Sequence, residues 1–395
     1  MKPIQVAEGI YWVGAIDWNI RDFHGYSTKE GTTYNAFLIM DDKITLIDTV
    51  KKEFADELIS KISQIVDPKK IDYVISNHTE MDHSGGLARV MHRIGEDKPL
   101  YCSKMGHKNL PQHYNPKWNY QIVEDGGELS LGKRTLTFME TRMVHWPDSM
   151  FTYAIEDKIL FASDGFGQHY ASMERFDDEI GDEIMVHAKK YFANILLLYT
   201  AHILKVFEKV QNLSLEMKII CPDHGIIWRK DPMKIVNAYV EWCQQKPKRK
   251  ALVVYDTMWH STEIMAEAIV DALHQEGVTA VPMHLRRWHR SDIITEVLDA
   301  GAIIVGSPTL NNGLFPTIAD FLTYLKGLKP KNKIGAAFGS YGWSGEAPKF
   351  VNQELEAMKF QVIDAPLKIK YVPDAEGIEA CQELARKIAK ALPGE

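Results

Sequence analysis

The sequence predicts an α/β protein in two parts, a layered α/β sandwich followed by a doubly wound parallel sheet. Two observations carry this. The polar, proline-containing stretch QQKPKRK at 244–250 reads as a linker, because domain boundaries fall in exposed polar segments. After it, short apolar runs alternate regularly with helix-like segments; before it, short strands and helices are mixed. The expected domains are therefore 1–248 and 249–395. At 395 residues the chain is too long for a single compact core.

In the N-terminal part, TYNAFLIM, KITLIDTV, RTLTFME and MFTYAIEDKILFASD have the β-branched and aromatic content of short strands, and KEFADELISKISQIV has helical spacing. In the C-terminal part, five strand candidates follow one another: ALVVY (251–255), TAVPMHL (279–285), AIIVGSP (302–308), KIGAAFGS (333–340) and QVIDAPLKI (361–369). Between the first two, STEIMAEAIVDALHQEG (261–277) repeats apolar residues every three and four positions, as a helix packed on a sheet does. No internal repeat or low-complexity segment is evident.

Composition narrows the function. With 45% apolar and 25% charged residues the chain is ordinary for a soluble globular protein. A net charge of -7 gives no general reason to bind nucleic acid or an anionic membrane. The basic runs KPKRK (246–250) and LRRWHR (285–290) are short and read as solvated segments. No run of about 18 apolar residues is present, and MKPIQVAEGIYWVG lacks the pattern of a signal peptide, so a cytoplasmic location is expected. The four cysteines, Cys102, Cys221, Cys243 and Cys381, form no CxxC pair, so neither an iron–sulfur site nor a fused rubredoxin module is expected.

The stretch HTEMDHSGG at 78–86 concentrates chemistry. His78, Glu80, Asp82 and His83 fall in six positions after the apolar run IDYVIS and before a glycine pair. That places them on an expected strand-to-helix loop, where ligands can converge without interrupting a sheet. Imidazole and carboxylate suit iron, manganese or zinc. Further candidates stand at the ends of apolar runs: His145 in RMVHWPDS, Asp164 in ILFASDGFG and His224 in IICPDHG. Each alone has an ordinary reading as an exposed histidine, a turn or a cap. Seven such side chains suffice for two metals with one acid shared.

Three loops of the C-terminal part are candidates for a flavin site, although each alone also reads as a helix cap, an Asn- and Gly-rich turn or aromatics that cover a core. DTMWHSTE (256–263) opens a helix, so a phosphate there would meet free backbone N–H groups and the positive end of the helix dipole, with hydroxyls from Thr257, Ser261 and Thr262. Met258, Trp259 and His260 complete that loop. It contains neither Gly-x-Gly nor Gly-Lys-Ser/Thr, which disfavours a dinucleotide or ATP-type site. SPTLNNG (307–313) contributes Pro308, Thr309, Asn311, Asn312 and Gly313 as candidates for the flavin's polar rim. SYGWSG (340–345) contributes Ser340, Gly342, Ser344 and Gly345, with Tyr341 and Trp343 as flat partners for the ring. All three follow parallel strands on the edge where doubly wound sheets bind ligands.

The order H-x-[EH]-x-D-H, then His, Asp and His, resembles the metallo-β-lactamase fold, a four-layer αβ/βα sandwich with a dinuclear site at one edge. Zinc-binding members of that fold mostly carry histidine where this chain has Glu80, and a carboxylate there hardens the ligand set toward iron. Together with the flavodoxin-like second half, the sequence resembles the flavodiiron proteins over nearly its whole length. The resemblance implies two non-haem irons and FMN in each chain. His78, Glu80 and His145 would hold one iron, Asp82, His83 and His224 the other, and Asp164 would bridge them. It further implies reduction of O2 to water or of NO to nitrous oxide. In that family the segment corresponding to RDFHGYS (21–27) lies over the diiron pocket, so His24 and Tyr26 are candidates for gating or proton delivery. The implied donor is a small redox protein such as rubredoxin, or a reduced deazaflavin, and the implied assembly is a head-to-tail homodimer or homotetramer. Two other readings remain: a metallo-hydrolase with an appended flavodoxin domain, and a non-catalytic flavin electron carrier.

Overall fold

A computed structural model describes residues 2–213 and 215–394. The chain forms two compact units, one of Met1–His24, Thr28–Phe192 and Tyr199–Val240, the other of Gly25–Ser27, Ala193–Leu198 and Glu241–Glu395. The second unit draws in two short stretches of the first half through polar contacts. Asn194 donates to the Ser291 carbonyl at 3.0 Å, and the Ser27 N–H donates to the Ser291 hydroxyl at 3.1 Å.

In the first unit, seven strands form one sheet in the spatial order Ile4–Ala7, Ile10–Trp12, Phe37–Ile39, Thr45–Ile47, Tyr73–Ser76, Leu100–Cys102 and Tyr120–Ile122. Five more form a second: Glu128–Ser130, Thr135–Glu140, Met150–Ala154, Ile159–Phe161 and Ile219–Cys221. Side chains alternate along each strand, which sorts them between two cores. Phe37, Ile39, Ile47 and Ile75 of the first sheet meet Phe138, Met150 and Phe161 of the second. Their neighbours Leu38, Leu46 and Val74 face outward onto Leu58, Ile62, Leu87 and Val90 of the helices Ala55–Ser63 and Leu87–Ile94. Strands buried on both faces explain why TYNAFLIM and IDYVIS read as nearly continuous apolar runs.

The second unit is a parallel sheet in the order Thr279–His284, Lys248–Tyr255, Ala300–Gly306, Ile334–Tyr341 and Gln361–Val362, with Leu367–Lys370 also pairing to Ile334–Tyr341. Ala251, Val253, Ile304 and Phe338 pack on the helices Ser261–Gln275 and Ala375–Ala391 through Ile269, Leu273, Leu384 and Ile388.

Three expectations need correction. The strand Lys248–Tyr255 begins inside the expected linker and the helix Pro232–Gln244 runs up to it, so only 245–247 connect the two. QVIDAPLKI is two strands, interrupted where Asp364 takes a left-handed φ of 65° ahead of Pro366. The stretch after IDYVIS is not all loop, because Met81–Ser84 forms a helical turn that carries Asp82 and His83.

The glycine pair after that turn is not there for backbone freedom. Neither Gly85 nor Gly86 has a positive φ. A Cβ at Gly85 would instead lie 2.3 Å from the Met81 carbonyl oxygen and 2.7 Å from the Lys52 nitrogen. The position demands a missing side chain, because backbone approaches it on two sides. Gly85→Ala is expected to cost about 1–3 kcal/mol and to lower the denaturant midpoint. A midpoint equal to that of the parent chain would contradict this.

Candidate metal centre and flavin pocket

Three of the ligand candidates leave strand ends of the first unit. His78 follows Tyr73–Ser76, Asp164 follows Ile159–Phe161, and His224 follows Ile219–Cys221. His145 comes from the connection between Thr135–Glu140 and Met150–Ala154.

Two of the histidines, His78 and His224, are aimed by a partner on the outer nitrogen. His78 Nδ1 donates to Asp148 Oδ2 at 3.0 Å, and the same oxygen accepts the Thr79 N–H at 2.7 Å. Asp148 is anchored in turn by the Ser103 hydroxyl, which donates to its backbone carbonyl at 2.7 Å. His224 Nδ1 donates to the Thr33 carbonyl at 2.6 Å, and the next residue, Gly225, takes a φ of 81°. A Cβ on Gly225 would fall 2.0 Å from Gln168 Oε1, so glycine is required beside the ligand. These outer bonds leave each Nε2 facing inward with its lone pair free for a metal.

The inward atoms converge in two groups. His78, Glu80, His145 and Asp164 offer one ligand atom each within 4.8 Å of one another, and so do Asp82, His83 and His224. Asp164 faces both groups. Its Oδ2 lies 3.5 Å from His78 Nε2 and 3.1 Å from His145 Nε2. Its Oδ1 lies 3.2 Å from His83 Nε2 and 3.4 Å from His224 Nε2. One carboxylate with an oxygen toward each group is the geometry of a bridge.

The second group is rich in polar atoms without hydrogen-bond partners. Both oxygens of Asp82 and both ring nitrogens of His83 are buried and form no hydrogen bond. Asp82 Oδ2 nevertheless stands 3.1 Å from His224 Nε2. Close polar atoms that do not bond each other are aimed at a common centre, and a buried carboxylate left without a partner is costly. Three carboxylates and four imidazoles around that space form a hard, anionic ligand set that fits two ferrous or ferric ions.

Proton equilibria agree. Burial alone would keep His78 neutral, but its bonds to Asp148 and Glu80 push it up to about 10. His145, paired with Asp164 and Glu80 against the same penalty, rises to about 9. Asp164 and Glu80 stay below the usual carboxylate range despite burial, because the histidines surround them. Without metal, protons do part of the neutralising.

Around these side chains lie further groups, of which Tyr191 and His169 were not marked by the sequence. Tyr191, at the end of the helix Ile184–Tyr191, donates its hydroxyl to Asp164 Oδ1 at 2.8 Å. The buried His169 meets the Thr32 hydroxyl at 2.8 Å, and its ring centroid is 4.8 Å from that of His224. Trp146 stands edge-on to His78 at 5.1 Å. His24 is at the mouth, its side chain 78% exposed and its Nε2 3.5 Å from Glu80 Oε1. Tyr26 is buried and groups with the second unit. An acid three residues after His145 was a readable clue to Asp148, but Tyr191 comes from a helix with no motif around it.

In the second unit, a cavity of about 470 Å³ opens at the carboxyl edge of the sheet. Met258, Trp259 and Ser261 of the first loop line it, with Pro308, Thr309, Asn311 and Asn312 of the second and Ser340, Tyr341, Gly342, Trp343 and Ser344 of the third. The remaining candidates shape the walls. Thr262 shares a hydrogen bond with the Ser340 hydroxyl at 2.9 Å. His260 takes a left-handed φ of 67° and bonds Glu263 at 2.7 Å. The Gly313 N–H donates to the Leu310 carbonyl at 2.9 Å, and a Cβ on Gly345 would touch the Tyr341 ring at 3.1 Å. The Thr257 hydroxyl is buried without a partner, as expected of a donor waiting for a phosphate oxygen. Trp343 is 89% exposed, an unusual cost for a flat aromatic unless a ring covers it. Leu310, Tyr371 and Val372 also line the cavity; the last two follow a strand whose end carries no recognisable loop motif.

Residues 32–225 match the model of the ODP family beta lactamase, and residues 253–384 match that of flavodoxin. The chain is 48% identical to a nitric oxide reductase of Moorella thermoacetica over 99% of both proteins. Its fold matches the rubredoxin oxygen:oxidoreductase of Desulfovibrio gigas with a TM-score of 0.96 and 44% identity, over 99% of this chain and 98% of that one. The flavodiiron protein of Giardia intestinalis matches with a TM-score of 0.93 and 37% identity, over 99% and 97%. The chain belongs to the flavodiiron protein family. As in other flavodiiron proteins, a metallo-β-lactamase-like part is joined to a flavodoxin-like part. The two matched regions contain all seven convergent side chains and all three cavity loops. No described helix is long and apolar enough to cross a membrane.

Loading the metal centre must displace the protons held by His78 and His145. Apparent affinity of the metal-free protein for ferrous iron is therefore expected to rise with pH up to about 10 and to fall as acid restores the imidazolium forms. Calorimetric titrations in buffers of different ionisation enthalpy should show protons released on binding. An affinity independent of pH would contradict the arrangement.

Proposed function

We propose that this flavodiiron protein takes electrons from a reduced donor through FMN to two non-haem irons and reduces O2 to water, NO to nitrous oxide, or both. Asp164 carries the reading: a single buried carboxylate that presents one oxygen to each of two ligand groups serves a dinuclear site and no mononuclear one. We assign His78, Glu80 and His145 to one iron, Asp82, His83 and His224 to the other, and Asp164 to both, within an N-terminal domain of residues 1–248. FMN is assigned to the cavity of a C-terminal domain, 249–395, with Thr257 and its loop at the phosphate and Tyr341 and Trp343 at the ring.

When bound, the irons and the flavin each store two electrons, which together meet the four required to turn O2 into two waters or the two required to turn two NO into nitrous oxide and water. The chain's own residues handle geometry and protons. Asp148 and Thr33 hold the imidazoles of His78 and His224 with Nε2 inward. Burial beside Asp164 keeps the Tyr191 hydroxyl protonated far above neutral pH, so it remains a donor to the bridging carboxylate. We assign to His24 the delivery of protons from solvent to the rim, which its exposure and its 3.5 Å distance from Glu80 support. Trp146 covers the outer side of His78 and limits water there.

The name of the Desulfovibrio gigas relative supports rubredoxin as donor, with a reduced deazaflavin as the second choice. O2 or NO is the substrate, and neither nucleic acid nor a membrane is a partner. We place the protein in the cytoplasm as a head-to-tail homodimer or homotetramer, in which one chain's FMN faces the partner's iron pair.

The test is consumption of O2 and, separately, of NO by anaerobically reduced protein supplied with reduced rubredoxin, with iron and FMN quantified in the same sample. His83→Asn should empty the second iron position and reduce turnover by at least about 100-fold while FMN content stays unchanged. Ester hydrolysis by a zinc form, with no oxidant consumed on flavin reduction, would establish the hydrolase reading instead.

A further inference from the structure

The run LRRWHR, which reads as solvated in the sequence, contains an arginine, Arg286, whose side chain is 54% exposed yet reaches a fully buried acid. Asp256 begins the loop after the strand Lys248–Tyr255, immediately before Thr257, and is fully buried. Its carboxylate accepts the Thr257 N–H at 2.7 Å, the Thr317 hydroxyl at 2.6 Å and Arg286 Nε at 3.3 Å, with an ion-pair contact of 3.0 Å to the same Nε and His284 Nε2 at 3.3 Å. Arg286 does more than pair with the acid. Its Nη2 donates to the Thr257 carbonyl at 3.2 Å, and its guanidinium lies 5.5 Å from the centre of the Phe315 ring. Phe315 is fixed in turn by its N–H, which donates to the hydroxyl of Ser307, the first residue of the second cavity loop, at 3.1 Å.

This arrangement solves an electrostatic problem. A loop that presents N–H groups and an unpartnered threonine hydroxyl suits a phosphate, yet an anionic carboxylate precedes it directly and would repel a second anion at close range. The Arg286 charge cancels that of Asp256 in place. Its planar fork also does what a lysine cannot, giving Nε to the acid and Nη2 to the loop backbone in one fixed orientation. The other ionisable groups nearby do not replace it. His284 stacks flat on Tyr255 at 5.1 Å, Glu263 is occupied by His260 and Tyr255, and Arg287 points its exposed side chain into no ion pair among the described residues.

We propose that Arg286 is a positioning residue for the flavin phosphate, acting through the Asp256 carboxylate and the Thr257 carbonyl to make the 257–262 loop receptive to a dianion. This rests on the assignment of FMN to the cavity. Its signature is selectivity, because a charge that serves the phosphate matters for FMN and not for riboflavin, which has the same ring and no phosphate. A residue that merely stabilised the fold would affect both.

The experiment is fluorescence titration of flavin-stripped full-length protein with FMN and with riboflavin, for the parent chain, Arg286→Ala, Arg286→Lys, Asp256→Asn and the Arg286→Ala/Asp256→Asn pair. Arg286→Ala should weaken FMN by at least about tenfold and leave riboflavin within about twofold. Arg286→Lys should recover only part of the loss. The double variant should bind FMN more tightly than Arg286→Ala alone, since the uncompensated acid is gone. Thermal melting identifies any variant that does not fold, and Arg286→Lys then carries the same comparison. Equal losses for both flavins, or unchanged FMN affinity, would overturn the role of Arg286. A parent chain without FMN affinity would overturn the cavity assignment itself, and the proposal with it.

Discussion

Asp164 is the side chain on which the N-terminal half depends, because it alone faces both ligand groups and is buried while doing so. A buried carboxylate is tolerable only when positive charge surrounds it. The strand ends at Ser76 and Cys221 deliver His78 and His224 to its two oxygens, the strand end at Phe161 delivers Asp164 itself, and Tyr191 adds a hydrogen bond from the third side. Remove the cations and the same carboxylates destabilise the fold that presents them. Metal binding and folding of this unit are therefore coupled by charge.

The two sites use opposite electrostatics on similar architecture. Both sit beyond strand ends, where backbone turns free side chains to converge. The candidate metal centre gathers carboxylates and inward Nε2 atoms, a set suited to cations. The cavity of the second unit gathers hydroxyls and exposed aromatic faces, a set suited to an anion attached to a flat ring. Where an acid intrudes on that set, at Asp256, an arginine and a threonine are tied directly to it.

The sequence revealed most of what is local. The seven convergent side chains were legible as candidates because they stand at or just beyond the ends of apolar runs, and three cavity loops because each follows a strand of a parallel sheet. What escaped depends on distant packing. Tyr191 lies 27 residues from Asp164 on a helix of ordinary composition, and Asp148 meets His78 across 70 residues. Tyr371 and Val372 reach the cavity only because Leu367–Lys370 pairs alongside Ile334–Tyr341. The glycine pair at 85 and 86 was visible, but its reason was not: conformational freedom is the usual inference from sequence, whereas here backbone crowding excludes a Cβ. Arg286 was hidden by its neighbours, since three arginines in six residues look like a solvated surface until one of them is seen bonded to a buried acid.

Mössbauer spectroscopy of the iron-loaded protein, with iron counted in the same sample, tests the shared carboxylate most directly. The account predicts about two irons per chain that are magnetically coupled in the oxidised state, as expected for ions roughly 3.5–4 Å apart with a common bridge. Loss of that coupling in Asp164→Ala would tie it to this residue. One iron per chain, or two that behave as isolated ions in the parent protein, would contradict it.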